Sequence, residues 1–374
     1  MPYFCANVNF SNMGIQSVHI KNFKSIRDSG EVQLNALNVL IGANGAGKSN
    51  FISFFKFLKK LFEQELQLYI NQHGRVDNFL YFGRKKSDFL AGTITFDNIY
   101  TNQYSFELVP DQSGSLIFSN EMSNYKPPNG AWNNSRIYGS RGNSEAVLQE
   151  SDNYQNIYLK NNFSKFKVFH FHDTSENANV KQPGNATDYA WLHEDGGNLA
   201  AFLYRLQESH AANFRMVEQV VRSIAPFFNR FFLQPDEINS NQIYLRWLEK
   251  GSEQLFTAHQ LSDGTLRMIC LSALLLQPNL PGTIIIDEPE LGLHPFAVQK
   301  LAAMLKSAAQ QTQVIISTQS VNLVDEFDPK DIIIVDRLNE QTVFQRLETD
   351  ELTDWMADYS LGQLWDKNVI GGRP

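Results

Sequence analysis

Apolar positions along the chain follow two periods, and each change of period marks an element. Ile15–Phe23 and Glu31–Ile41 read as strands on either side of a polar turn around Arg27–Gly30. Beyond a glycine-rich stretch, Phe51, Phe54, Phe55, Leu58, Leu61 and Phe62 recur at helical spacing. A strand, a glycine loop and a helix therefore open the chain, behind a polar first 14 residues expected to fray.

Shorter β-like runs follow at Phe89–Tyr100, Tyr104–Val109 and Ser115–Ser119, separated by Asn, Asp, Gly and Ser. They predict an antiparallel meander. Asn120–Ser144, containing Pro127-Pro128-Asn129-Gly130, predicts a long loop. A strand is expected at Phe166–Phe171, and helices at Asn198–Glu208 and Ala212–Phe232, the second bent or ended near Pro226. Gln242–Leu248 reads as β.

The last third alternates: helix Gly264–Gln277, strand Thr283–Asp287, helix Pro295–Gln310, strand Gln313–Ser317, short helix Val321–Glu326, strand Asp331–Asp336. That alternation predicts an α/β core with a mostly parallel sheet covered on both faces. The expected division is 1–74, 75–160 (an antiparallel β insertion with a long loop at 120–144), 161–250 (a strand and a helical lobe) and 251–374. No internal repeat or long heptad run interrupts it.

Composition narrows the class. Apolar residues make up 43% of the 374 and charged ones 19%, too hydrophobic for a disordered chain. A chain this long buries about three quarters of its unfolded surface without disulfide help. Two cysteines, Cys5 and Cys270, exclude a Cys-rich zinc module and give no disulfide framework. No stretch reaches the ~20 apolar residues of a membrane span. Met268–Leu276 comes nearest and reads as a buried helix. The N-terminus lacks a basic segment before an apolar run, so no signal peptide is expected and the cytoplasm is the expected compartment. A net charge of −8 argues against binding nucleic acid by bulk charge.

Gly42-Ala-Asn-Gly-Ala-Gly-Lys-Ser49 fits G-x-x-x-x-G-K-[S/T] between a strand and a helix. Backbone N–H groups of such a loop close around phosphate oxygens, helped by the helix dipole. Lys48 would reach the β/γ-phosphates and Ser49 would ligate Mg²⁺. Thr283-Ile-Ile-Ile-Asp-Glu288 reads as a buried strand ending in two acids, with Asp287 suited to Mg²⁺ and Glu288 to orienting water. Leu261-Ser-Asp-Gly-Thr265 precedes an apolar helix and makes a second anion-binding terminus or an ordinary cap.

Together with Ile20-Lys-Asn-Phe-Lys-Ser25, Leu293-His294-Pro295 and Ser317-Thr318-Gln319-Ser320, this set resembles the ATP-binding-cassette ATPases of the RecF and chromosome-maintenance (SMC) branch. It resembles most closely their compact stand-alone bacterial relatives, grouped as AAA-21-like; the tail Tyr359–Trp365 and Gly371–Pro374 adds to the likeness. The resemblance covers about residues 15–60 and 165–374 and covers 75–155 poorly.

It implies that Asn44, Gly45, Ala46, Gly47, Lys48, Ser49 and Asn50 hold ATP, with Ser49 and Asp287 on Mg²⁺. It implies that Glu288 is the catalytic acid, that Glu290 to His294 occupy the loop between subunits, and that Ser262, Asp263 and Gly264 touch the γ-phosphate of a partner's ATP in a head-to-tail homodimer. Gln319 stands at the switch position, where most such ATPases carry His; its amide donates a hydrogen bond but never becomes cationic, so slow turnover is expected. Asp263 replaces the Gly usual in transporters, which with the lack of a membrane segment argues against a transporter subunit.

His170-Phe-His-Asp173 has three readings: nucleotide sensing, a separate metal site, or an alternating strand with a capped turn. Lys56, Lys59, Lys60 and Arg84-Lys85-Lys86 are candidate DNA contacts or a solvated face. The expected function is ATP-driven dimerisation serving DNA metabolism or repair. The alternative is a sensor or scaffold in antiphage defence that controls a separate effector such as a nuclease. Only 38 residues follow Asp336, too few for a fused nuclease domain, so a nuclease is expected to be another protein. A P-loop kinase or GTPase needs no second anion-binding helix start, and no Asn-Lys-x-Asp guanine motif is present.

Overall fold

The computed structural model describes residues 14–96, 101–137, 140–150, 153–348, 352 and 355–373; the first 13 residues, including Cys5, and residues 97–100 of the first meander run lie outside the described residues. The chain begins with β1 (Ile15–Phe23), β2 (Ile26–Gln33) and β3 (Leu37–Ile41), then α1 (Lys48–Phe62) and α2 (Leu66–Gln72). The second lobe adds β4 (Leu90–Phe96), β5 (Thr101–Pro110), β6 (Leu116–Lys126), β7 (Asn133–Arg136), α3 (Tyr154–Phe163), β8 (Phe166–Phe169) and the two-residue β9 (Gly184–Asn185). Next come α4 (Leu199–Ser209), α5 (Ala211–Ile224), β10 (Phe228–Phe232), β11 (Gln242–Ile243), β12 (Arg246–Glu249) and β13 (Leu255–Thr257). The last third holds α6 (Asp263–Leu275), β14 (Thr283–Asp287), α7 (Pro295–Ala308), β15 (Gln313–Thr318), α8 (Val321–Val324), β16 (Ile332–Leu338), β17 (Gln341–Arg346) and α9 (Leu361–Asp366).

Two six-stranded sheets organise these elements. One runs β17-β16-β3-β15-β14-β8 and is parallel except for β17; the other is antiparallel, in the order β2-β1-β4-β5-β6-β7. In the parallel sheet alternate residues face opposite cores. Leu40, Ile285, Ile315 and Ile333 face α1 and the antiparallel sheet, while Val39, Ile284, Ile286, Val314 and Ile316 face the side of α4 to α7. Because both faces are covered, the strands read as unbroken β-branched runs rather than alternating ones.

Helix α1 lies between the two sheets and carries Phe51, Phe54, Phe55 and Phe57 into the core. Phe54 meets Phe23, Phe57 and Phe106 at ring centroids 5.4, 6.4 and 6.4 Å away. Truncating it to Ala would cost about 3–5 kcal/mol.

Several expectations need correction: Glu31–Ile41 and Gln242–Leu248 are not single strands but each divide into two, β2 and β3 and β11 and β12, whose members lie in different sheets. Arg27–Gly30 is not a turn but part of β2, an edge strand whose polar residues face solvent. The segment read as a loop from Asn120 continues β6 to Lys126 and adds β7. There Glu121 is buried against Tyr104 Oη at 2.8 Å and the N–H groups of Val147 (3.1 Å) and Leu148 (3.2 Å). The second helix ends before Pro226 as expected, at Ile224, because the proline ring cannot continue it, but Phe228–Phe232, read as part of that helix, forms a strand.

Candidate functional site

The strands β3, β8, β14 and β15 run parallel, so their C-terminal ends share one sheet edge, where ligands of open α/β sheets collect. Four segments converge there: the Gly42–Ser49 loop, His170–Asp173, Asp287–Glu290 and Ser317–Gln319.

The glycine loop is shaped by contacts far along the chain. Gly47 has φ 119, and a Cβ on it would lie 2.1 Å from Thr342 Oγ1, so only glycine fits. Asn50 Nδ2 donates to Ser25 Oγ (2.7 Å), Ser25 hydrogen-bonds Thr342 Oγ1 (2.7 Å), and Thr342 donates to Ala46 O (2.8 Å). With the last donor fixed, all three bonds run in one direction. Lys48 is buried, and its ammonium donates to Gly42 O (2.5 Å) and Ala43 O (3.0 Å). Burial lowers its pKa, opposed by the carboxylates of Glu288, Asp287 and Glu290. Asn44, Gly45 and Ser49 are exposed on the loop, and Ala46 is buried beneath it.

The acids at the end of β14 are held one by one. Asp287 accepts from Ser49 Oγ at 3.4 Å and from the hydroxyl of Ser317. Glu288 has a left-handed backbone (φ 42) and accepts from the side-chain amide of Gln319. Glu290 is buried, takes the Thr318 hydroxyl and the Gln319 N–H (3.3 Å) on Oε1, and is pushed up in pKa by that burial. Its Oε2 is buried without a hydrogen-bond partner among the described residues. A left-handed non-glycine residue beside the acids is strain of the kind that collects at functional sites.

His172 Nε2 lies 2.9 Å from Asp287 O and 3.3 Å from Glu288 O. Both partners are acceptors, so Nε2 carries the hydrogen and the ring clamps the backbone under the acids. Beside it, His170 is lowered to about 4, first by desolvation and then by Lys56 and His172. Asp173 accepts from Ser175 N (3.0 Å) and Oγ (2.7 Å), which is a capped turn. Among the described residues no group of three His, Cys, Asp or Glu converges as a metal site.

Ser262 caps α6: its hydroxyl accepts from Thr265 N at 3.3 Å and meets Thr265 Oγ1 at 2.8 Å. Asp263 is exposed, 3.8 Å from Lys181 Nζ. A Cβ on Gly264 would lie 2.6 Å from Gly292 O, so this glycine is the point where α6 touches the loop after β14. Among the described residues no hydrogen bond joins residues 261–265 to the Gly42–Ser49 loop of the same chain. Arg267, one turn on, donates to Leu291 O (2.7 Å) and His172 O (2.9 Å).

Three of the six basic residues singled out above are engaged in ion pairs within the chain. Lys59 pairs with Glu194 and Glu63, Lys60 with Glu63 and Glu65, and Arg84 with Asp77. Lys56 is half-buried, its pKa lowered by desolvation despite nearby Asp287 and Glu194. Sequence reasoning missed Ser317, Thr318 and Thr342 as site residues. For the first two a signal existed: β15 turns from apolar to hydroxyl residues just where it reaches the edge. Thr342 carried none, because its role comes from β17 folding back over the loop.

Residues 37–325 match the family model described as "AAA domain, putative AbiEii toxin, Type IV TA system". Comparison with curated proteins finds no match. Among solved structures, the chain is similar to an SMC head bound to the C-winged helix domain of ScpA: 14% identity, TM-score 0.59, covering 91% of this chain and 99% of that one. An Smc head domain with an extended coiled coil bound to the C-terminal domain of ScpA, from Pyrococcus furiosus, is similar at 13% identity and TM-score 0.55, covering 92% and 99%. At such identities the likeness is one of fold: the α/β architecture of an SMC head domain. Among the described residues no helix is long and apolar enough to cross a membrane.

Proposed function

The chain belongs to that AAA-domain family, and from this premise we propose that it binds and hydrolyses ATP at the strand edge just described, as a head-to-tail dimer. The observation that carries the reading is the paired engagement of Ser49 with Asp287 and of Gln319 with Glu288 beside the glycine loop. Phosphate oxygens would take the Lys48 ammonium from the Gly42 and Ala43 carbonyls and meet the N–H groups at the start of α1. A hydroxyl and a carboxylate are the hard oxygen donors Mg²⁺ prefers, so Ser49 and Asp287 fit that ion. When bound, it would neutralise charge on the transferring phosphoryl group.

Glu288 orients and deprotonates the attacking water, and Gln319 holds the carboxylate in place. The partner copy brings its α6 terminus, with Ser262 and Gly264, over the γ-phosphate. Asn50 helps fix the loop, and Asp263 sits at the rim of the shared face. The four segments at 1–74, 75–160, 161–250 and 251–374 serve, in this reading, as Walker A lobe, β insertion, sensing and helical lobe, and signature half. Glu288→Gln should cut hydrolysis by about 10²-fold or more and trap an ATP-dependent dimer in light scattering. A monomer at saturating ATP in both this variant and the wild type would overturn the dimer.

Two roles follow from different observations. The first is action on DNA with a partner protein in the cytoplasm, favoured by the likeness to SMC heads bound to ScpA domains. The family's printed toxin–antitoxin description supports a defence role in which nucleotide state governs a separate effector, such as a nuclease. The intramolecular pairing of Lys59, Lys60 and Arg84 weakens the case for DNA contact through those residues. DNA-stimulated hydrolysis selects the first role; co-purification with an effector from the native host, without DNA stimulation, selects the second.

A further inference from the structure

A cavity of about 770 Å³ opens at the opposite edge of the parallel sheet, among the starts of β3, β8, β14 and β15. Its size falls within the roughly 300–1,000 Å³ of small-molecule sites. Its chemistry is one-sided. Lys165 and Lys167 line it, and no acidic residue does among the described residues, in a chain whose net charge is −8. Neither ammonium has an acidic partner among the described residues, so an anion would meet two uncompensated positive charges.

Trp191, also in the lining, is 67% exposed. An indole this open is uncommon, yet its backbone is pinned: buried Asn198 donates from Nδ2 to Trp191 O (2.7 Å) and Asp188 O (2.9 Å), and its Oδ1 accepts from His193 N (2.8 Å). The backbone that carries the exposed ring is therefore fixed. Gln16, Asn279 and Gln311 line the same space, and their carboxamides have no hydrogen-bond partner in the protein among the described residues. A carboxamide offers a donor and an acceptor side by side, the pattern that matches a base edge.

We propose that this cavity binds a nucleobase carrying a phosphate, the base stacked on Trp191 with its edge against the carboxamides and the phosphate on Lys165 and Lys167. A simple anion would use the lysines but not the ring, and an apolar ligand would use the ring but not the lysines. The chemistry is shared by a free nucleotide and by an unpaired base of a single strand, where aromatic stacking is the usual platform. The site is separate from the glycine loop and does not depend on the ATPase reading.

The test is tryptophan fluorescence on the whole chain, titrated with AMP, GMP, CMP and UMP in one arm and with the tetranucleotides dT₄ and rU₄ in another. Each titration is repeated in Lys48→Ala to set aside the glycine loop. Saturable quenching that persists in Lys48→Ala, vanishes in Trp191→Ala, and weakens about tenfold in Lys167→Ala supports the site. Whichever arm binds identifies the source. Trp191→Phe, which keeps a stacking face, should retain binding in equilibrium dialysis. No saturable quenching in either arm, or quenching unchanged in Trp191→Ala, overturns the proposal. So does binding of a hexaglutamate peptide in place of every nucleotide probe. None of these outcomes touches hydrolysis, so failure here is distinct from failure of the ATPase reading.

Discussion

The side-chain amide of Gln319, one residue past β15, donates to Oε1 of Glu288, one residue past β14. An amide in this place keeps the same hydrogen bond at every accessible pH, whereas an imidazole would gain and lose a proton near neutrality. Gln319→Ala should therefore lower the hydrolysis rate by about 10- to 100-fold with little change in ATP affinity. The wild-type rate should show no ionisation between pH 6 and 7 that this substitution removes. Steady-state phosphate release across that range decides the matter; an inflection present in the wild type and lost in Gln319→Ala would refute it.

Lys48 is buried, its ammonium donating to the Gly42 and Ala43 carbonyls with the carboxylates of Glu288, Asp287 and Glu290 nearby. Lys48→Met should fold normally and lose nucleotide binding. A ligand at 100 times its Kd stabilises the folded state by about 2.7 kcal/mol. Thermal melts with ATP should show that gain in the wild type and none in the variant; an equal rise in both would contradict the assignment.

Ser262 and Gly264 separate a local effect from one made across two chains. Ser262→Ala loses a helix cap, a loss of about 1 kcal/mol. Gly264→Ala pushes a methyl into Gly292 O and should lose about 1–3 kcal/mol. If Ser262 also reaches a partner's phosphate, the rate defect of Ser262→Ala should persist at a temperature where both proteins are fully folded. A rate equal to wild type there removes Ser262 from the chemistry.

Burial raises the Glu290 carboxyl above its ordinary value. A carboxyl raised by folding favours the native state at low pH, and that contribution is lost as pH climbs through the folded value. Glu290→Gln keeps an acceptor for Thr318 and cannot ionise. The stability difference, variant minus wild type, should therefore grow more positive as pH rises from about 4 toward 8, measured by urea melts. A difference that is flat or falls with pH would show that the group ionises freely in the fold.

Cys270 is fully enclosed in α6, and desolvation pushes its thiol up to about 12. In a Cys5→Ser background the native chain should resist Ellman's reagent at pH 8 and react only on unfolding. Rapid labelling of native protein would show that α6 opens.

What the sequence disclosed depended on how local the cause was. β14 and the Ser262 cap are each set within a few residues, and the glycine loop is spelled by its own eight even though Ser25 and Thr342 brace it; the positions of all three matched the reading closely. The Asn120–Lys126 segment was misread because its charged Glu121 finds partners at Tyr104, Val147 and Leu148, none visible in a local window. Arg27–Gly30 was misread for a different reason: an edge strand with a solvent face has the same polarity as a turn. At the site, Asp287, Glu288 and Gln319 were legible at strand ends. Thr342 and the clamp of His172 on two carbonyls were not, since backbone acceptors leave no trace in composition.

The run of bonds from Asn50 through Ser25 and Thr342 to Ala46 has a consequence for how the chain is made. A ribosome delivers Lys48 long before Thr342, and β3 finds its neighbours β15 and β16 only after some 270 residues more. During synthesis the glycine loop is thus a segment waiting for its brace. A nascent chain stalled before residue 342 would carry every Walker A residue and still lack the rigid cradle that grips a triphosphate.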